Sequence, residues 1–484
     1  MSTSVNVAVD GTGNVEIMVD DLAYVDVQHD AMAVFDDVEQ GIVPGEDIFI
    51  SAYKKGETSV HGKVKVLSHE GPGNDKTDLF PRDGVQFDRI SKTHYEATFP
   101  ALDIQRRTVK FPRQVINPSY KKSSSLDAPL QINTVALNPK SPHLAIGGPD
   151  GYCAIVPTSL DSREKEVQLK GHVGDVRDVK WFPSGEVILT ASSDLSIRVY
   201  GKDGINPRTL KGHTRAITSL HIIGVGKQIL SASKDGTVRL WDVGQGKEVR
   251  KWMIGETSRR GVEGMLVVEK QDELQRLGLV EEQRAMLLNI QEGIWVQPWD
   301  GEGYVVLTGA GDPGQLVSFD HAEGLVVLGY TSGIIEIRNL STFAATSKIQ
   351  NTMSSESETA FASGSVSRSK SKSKSQQGRI KRVRRNESSI YSLYLQKLES
   401  TPTPAPSEIG SEYNSEFDLY VGTAAGLPCR LGIQIHPETS GYEVVVKEEL
   451  AGWDAVGIEC WGIASYGGRE EIWCAGGEGG IRRY

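Results

Sequence analysis

Two histidines and two aspartates are the residues of this chain whose types and spacing most readily suggest chemistry. His172 and His213 each follow a glycine, the two Gly-His pairs lie 41 residues apart, and Asp194 and Asp235 repeat the same interval. An imidazole oriented by a carboxylate is a general-base unit. Copied one period later, however, the pair has the mark of a scaffold part. As a buried hydrogen-bond chain the set comprises His213, Ser231 or Ser233, Asp235 and Trp241. In the preceding copy it comprises His172 and Asp194, where Tyr200 replaces the Trp and shortens the network. Each buried polar group then has the partner that burial demands. No nucleophile motif, P-loop, HExxH or dinucleotide fingerprint accompanies them, and Gly309–Gly314 has glycines at turn density without a following GK[ST]. Cysteines and histidines are not clustered for metal ligation. The expectation is a chain that is not an enzyme and uses no cofactor or metal.

The elements that must position these residues are hairpins: hydrophobic strand, small residues, tight turn, second strand. The clearest copies are Glu186–Tyr200 and Lys227–Trp241, each about 20 residues after a Gly-His pair, which is the WD-repeat pattern. Five weaker copies occupy His143–Pro157, Ala285–Trp299, Gly324–Arg338, Asp418–Leu431 and Glu470–Tyr484. With turns at Asp150, Asp194, Asp235, Glu292, Ser332, Ala425 and Glu478, the spacings are 44, 41, 57, 40, 93 and 53. One four-stranded blade per copy predicts an all-β fold, a seven-bladed WD-repeat β-propeller, over residues 101–484. The interval of 93 has room for an eighth blade but holds a stretch too polar to form one.

Residues 1–100 precede the repeats and contain strand-like runs at Val15–Val19, Ile48–Tyr53, Val60–Leu67, Val85–Ile90 and His94–Phe99, which predict a small β-rich N-terminal domain. The last blade has three strands before the sequence stops, so an outer strand must come from elsewhere. Gln105–Phe111, just upstream of the first blade, is the expected donor. The segment Glu269–Gly278 stretches blade 4 by a short helix or a longer strand pair. Residues 346–388 form a Ser/Lys/Arg-rich insertion expected to be disordered, and 399–416 a polar loop. Within the insertion, Arg379–Arg385 fits a nuclear-import signal, an anion-binding tail or a solvated loop equally.

Charge is unevenly placed. The first 53 residues carry eleven acids and no Lys or Arg, whereas Arg368–Arg385 carries nine basic residues and no acid. The net charge is -10, and the remainder is acidic too, which disfavours nucleic acid and favours a basic protein partner. No run of 18 apolar residues predicts a membrane span. The start lacks a secretory signal, and Cys153, Cys429, Cys460 and Cys474 are scattered; the first, second and fourth fall on blade strands as buried thiols. A monomer in the reducing cytoplasm is expected, with nuclear entry open. Binding is expected on the rim where outer-to-inner strand loops gather, at Asp175, Arg177, Arg215, Glu263 and Asp454.

Gly171–Gly185 followed by Ser192–Arg198, Ser231–Asp242 and the closing Gly-Gly-Ile-Arg-Arg-Tyr484 resemble the proteasomal ATPase-associated factor family, and Ser59–Val64 looks like a fungal member. The best match covers residues 171 to 252. The resemblance implies a non-catalytic chaperone for assembly of the proteasome's regulatory particle, which binds the C-terminal domain of one ATPase subunit of the base and sterically blocks premature docking. A general WD-repeat adaptor, such as a ubiquitin-ligase substrate receptor or ribosome-assembly scaffold, is the alternative.

Overall fold

The computed structural model describes residues 19–68, 77–118, 131–159, 164–255, 260–308, 313–344, 380–399, 415–436, 441–466 and 469–484. Seven antiparallel blades follow one another around a ring. Their inner strands begin at Thr134, Val176, Ile217, Gly264, Leu316, Ile390 and Ile458, and every hairpin turn falls where the repeat places it. Second strands such as Val187–Ser192 and Gln228–Ser233 are buried at almost every position, because they are covered on both faces by adjacent blades. The small Ser and Ala residues of these strands let the blades approach.

Every seam of the ring is stapled by hydrogen bonds across it. Asn133 Nδ2 reaches Val176 O at 3.2 Å between blades 1 and 2, and Leu220 N–H donates to Asp178 at 2.8 Å between 2 and 3. Thr218 donates to Val262 O at 2.8 Å, Asn289 to Leu316 O at 3.3 Å, Ser318 to Ile390 O at 2.9 Å and Ser392 to Ile458 O at 2.7 Å. Between blades 7 and 1 the Ile132 N–H donates to Gly476 O at 3.1 Å. The ring is therefore closed.

Closure uses a different strand from the one expected. Blade 7 is completed by Gln114–Ile116, antiparallel to Ile481–Arg483. The expected donor, Gln105–Phe111, corresponds to the strand Ile104–Lys110, which pairs in parallel with Gly441–Leu450, the outer strand of blade 6. Pro112 explains the division: lacking an N–H, it breaks one long strand into two that serve neighbouring blades. Ile104–Lys110 also pairs with His94–Phe99, so one sheet of seven strands runs from blade 6 into the N-terminal unit. The boundary expected at residue 100 is crossed in the other direction too, since Val19–Asp21 adds a parallel fifth strand to blade 5.

The N-terminal unit has a second sheet, Tyr24–Val27, Gly45–Tyr53, Val60–Ser68 and Thr77–Pro81, and a helix, Ala31–Glu39. Its core stacks Phe35 and Phe87 on Tyr95, each with ring centroids 5.1 Å apart, with Phe111 edge-on to Tyr95 at 5.5 Å. The strand run expected at Val15–Val19 lies outside the described residues except for Val19. In blade 4 the extra segment forms a short helix, Gln271–Arg276.

The basic tract needs correction. Residues 345–379 and 400–414 are outside the described part, but 380–388 are ordered, and Lys381–Arg384 is the outer strand of blade 5, held between Ile334–Asn339 and Val19–Asp21. Its charge is matched on both sides: Lys381 pairs with Asp20, Arg384 Nε with Asp21 at 2.9 Å, and Arg382 Nε with buried Glu336 at 2.7 Å. These residues are neither a free tail nor a solvated loop. Alternation of Lys/Arg with Ile and Val is also a strand pattern, and here the strand reading prevails because carboxylates wait on both neighbours.

Candidate functional site

In blade 3 the histidine sits in a complete relay. Trp241 Nε1 donates to Ser231 Oγ at 2.8 Å, the Ser231 hydroxyl meets His213 Nε2 at 2.7 Å, and His213 Nδ1 meets Asp235 Oδ2 at 2.9 Å. Ser231, not Ser233, is the link. Ser233 instead donates to Ala216 O at 2.9 Å and receives the Asp235 N–H at 3.1 Å, fixing the turn. Asp235 further accepts from the Thr237 hydroxyl at 2.6 Å and the Thr214 N–H at 3.0 Å. Burial works to raise its pKa, but the bonds from His213, Thr237 and Thr214 prevail and hold the carboxyl well below its usual range.

Blade 2 repeats the pattern in truncated form. His172 Nδ1 lies 2.8 Å from Asp194 and Nε2 2.7 Å from Thr190, beyond which the hydroxyl meets only the Arg198 carbonyl, at 3.4 Å, and no further side chain. The Tyr200 hydroxyl donates elsewhere, to Lys170 O at 3.0 Å. Burial lowers the pKa of His172, keeping the ring neutral. For Asp194 burial pushes upward, yet bonds from Ser196 and His172 bring it below normal. With both ring nitrogens engaged and the side chains enclosed, neither imidazole offers a lone pair to a substrate. Their work is to anchor the rim loops.

Those loops carry the rim residues. The bulge after the first residue of the inner strands of blades 2, 3, 5, 6 and 7 makes Arg177, Thr218, Val317, Tyr391 and Glu459 the extra residues at the mouth of the ring. Arg177 pairs with Asp175 at 3.1 Å, and Lys234 with Glu263 at 2.9 Å. Arg215 is exposed. Burial raises the pKa of Glu459, and the Gln131 amide, 3.2 Å away, and the charge of Arg177 oppose that rise. Asp454 is exposed and lies 3.7 Å from His29 of the N-terminal unit. The rim is thus composite there, built by two parts of the chain.

Sequence reasoning missed the residues that fix this arrangement. Glu449, 3% exposed, accepts from Arg107 at 2.7 Å, from the Val25 N–H at 3.1 Å and from Arg385. Arg385 also donates to Leu427 O at 2.9 Å. One carboxylate ties the N-terminal unit, blade 6 and the blade 5–6 connection. Glu336 plays the same part inside blade 5 with Arg338 and Arg382. A charged residue inside a run such as Ile-Ile-Glu-Ile-Arg was the available signal. Among the described residues no group of three or more His, Cys, Asp or Glu is placed to hold a metal ion, and no helix is long and apolar enough to cross a membrane.

Closed ring, relay and rim together define a class, the WD-repeat β-propellers. The family model "WD domain, G-beta repeat" matches residues 163–201 and 204–242, the ground of blades 2 and 3. Among curated proteins, "Nuclear distribution protein nudF 1" of Talaromyces marneffei is 37% identical over 119 residues, 24% of this chain and 26% of that protein. "26S proteasome regulatory subunit RPN14" of Saccharomyces cerevisiae is 26% identical over 237 residues, 49% and 52% of the two chains. The chain thus matches between about a quarter and about half of the length of these relatives. Among solved structures, "Structure of U3-55K" aligns at 12% identity with a TM-score of 0.48, over 75% of this chain and 91% of that one.

Proposed function

We propose that this chain is a non-catalytic assembly chaperone that docks the C-terminal domain of a proteasomal ATPase subunit and assists assembly of the regulatory-particle base. The observation that carries this reading is the 237-residue likeness to a proteasome regulatory subunit on a chain whose histidine–aspartate pairs are consumed in scaffold hydrogen bonds. A ring stapled at every seam offers a rigid face to a partner and needs no cofactor. Its acidic balance complements a basic face. In this reading the protein is a cytoplasmic monomer that also meets its partner in the nucleus. The wider reading, a general WD-repeat interaction scaffold, is favoured by the higher identity to nudF 1, 37% over 119 residues.

Affinity purification at physiological salt with mass spectrometry separates the two. ATPase subunits of the base in the eluate, without the mature core particle, support the chaperone reading. Their absence beside another stable partner leaves the scaffold reading in its place.

A further inference from the structure

Arg198 and Arg239 hold the same place in successive blades, 41 residues apart, each two residues before the aromatic that closes its hairpin. The glycine of the Gly-His pair covers each guanidinium, since a Cβ at Gly171 would collide with Arg198 Nη1 and one at Gly212 with Arg239 Nη1. Their partners differ. In blade 3 all three nitrogens of Arg239 are engaged: Nη1 with Glu248 at 2.6 Å, Nη2 with Asp235 at 3.8 Å and Nε with the Thr237 hydroxyl at 3.4 Å. In blade 2 Arg198 has no ion pair with a described residue, and its Nε is buried without a hydrogen-bond partner. The neighbouring Tyr200 hydroxyl donates to Lys170 O, and Asp194 is taken by His172, Ser196 and the Val173 N–H. The cause is legible in the outer strands. That of blade 3 starts Lys247-Glu248, whereas the segment Asn206-Pro-Arg-Thr-Leu-Lys211 of blade 2 carries no acid.

A cation has been added where the acid is missing. Thr209 lies opposite Arg198 and Lys211 opposite Ser196, so Arg198, Thr209 and Lys211 share one face of the sheet. In blade 3 the position of Lys211 is held by Met253, opposite Thr237. Lys211 is exposed, and it too makes no ion pair with a described residue. Two unmatched cations close together on one face repel and weaken the strand pair unless an anion joins them. Tyr200, on the same face, packs with Ile155 and Leu169 of blade 1, which puts the two cations in the outer seam of blades 1 and 2, on the flank of the ring and not at its mouth.

We infer that this seam is a docking site for an anionic group on a protein partner, the carboxylate of an Asp or Glu or the phosphate of a phosphoserine, which takes the place that Glu248 fills in blade 3. The planar guanidinium fork suits either oxyanion, and the Lys211 ammonium adds a point charge beside it. A nucleic-acid strand offers the same phosphates, but as a continuous polyanion it would meet a molecule of net charge -10. A peptide brings one or two charges to one spot. The inference does not rest on the proteasome reading, which places its partner on the rim.

The test uses the full chain and labelled 15-residue Gly/Ser peptides with a central pair of glutamates, a central phosphoserine or a central pair of alanines, followed by fluorescence anisotropy. The glutamate or the phosphoserine peptide is expected to bind, and whichever binds identifies the source of the anion. Affinity should fall roughly tenfold or more in Arg198→Gln and in Lys211→Glu. Thr209→Glu sets a carboxylate opposite Arg198 from within the chain and should close the site without removing either cation. Unchanged thermal unfolding shows that a variant keeps its fold, and the exposed Lys211→Glu serves if Arg198→Gln does not fold. Equal binding of the alanine peptide, no binding of any peptide, or binding that Lys211→Glu and Thr209→Glu leave intact overturns the inference. So does capture of a labelled 12-nucleotide oligouridine that the same substitutions abolish.

Discussion

The Trp241 indole N–H reaches the Ser231 hydroxyl at 2.8 Å and closes a relay that, one blade earlier, ends at Thr190. Because Ser231 bridges two enclosed groups, Ser231→Ala leaves both His213 Nε2 and the indole N–H unpaired. The expected cost is about 2–4 kcal/mol. Thr190→Val strands only His172 Nε2 and should cost roughly half as much. Urea unfolding of the two variants measures the difference; equal losses would show that the indole contributes nothing to the relay.

Removing charge from Glu449 should loosen the N-terminal unit first. Glu449→Gln leaves Arg107 and Arg385 with neutral acceptors only, the amide oxygen and the carbonyls of Ala23 and Leu427, at an expected cost of about 3–5 kcal/mol. Limited proteolysis should then cut near the turn at Pro100–Asp103 while the propeller fragment persists. Val115→Pro, placed in the strand that completes blade 7, should instead lower the stability of the whole ring.

Acidification should weaken the fold through its buried histidines. Burial lowers the pKa values of His94, His172 and His221, so these rings are neutral in the folded state and charge more readily when unfolded. Their contribution is fully present above the unfolded value of about 6.5 and is lost as pH falls below it toward each folded pKa. The midpoint of thermal unfolding should drop between about pH 7 and pH 5, and less steeply in His221→Gln. Asp235 behaves oppositely in position: its depressed pKa stabilises above about pH 4 and fails only in strong acid.

The basic strand of blade 5 should reveal itself as structure. Arg382→Gln leaves Glu336 with Arg338 as its one cation and should cost about 2–4 kcal/mol. Its cellular distribution, followed with a fluorescent fusion, should not change, because the strand pairs on both edges and offers no extended basic segment to a receptor.

Thiol reagents should find the blades closed. Burial pushes Cys153 up to about 12 and Cys429 up to about 11, and Cys474 is raised as well. Labelling of these three at pH 8 should await unfolding.

The periodic residues are what the sequence by itself determined. Hairpin spacing, the Gly-His pairs and the turn acids fix seven blades and the relay, because those interactions lie within one repeat and their partners are a constant distance away in the chain. Pairings between distant segments were decided only by the tertiary structure. Gln114–Ile116 rather than its neighbour completes the ring, Lys381–Arg384 is a strand, and Glu449 joins Arg107 across 342 residues. A charge or a strand edge can state that it needs a partner. Which partner it finds depends on where the closed ring brings the ends of the chain, and no local pattern encodes that distance.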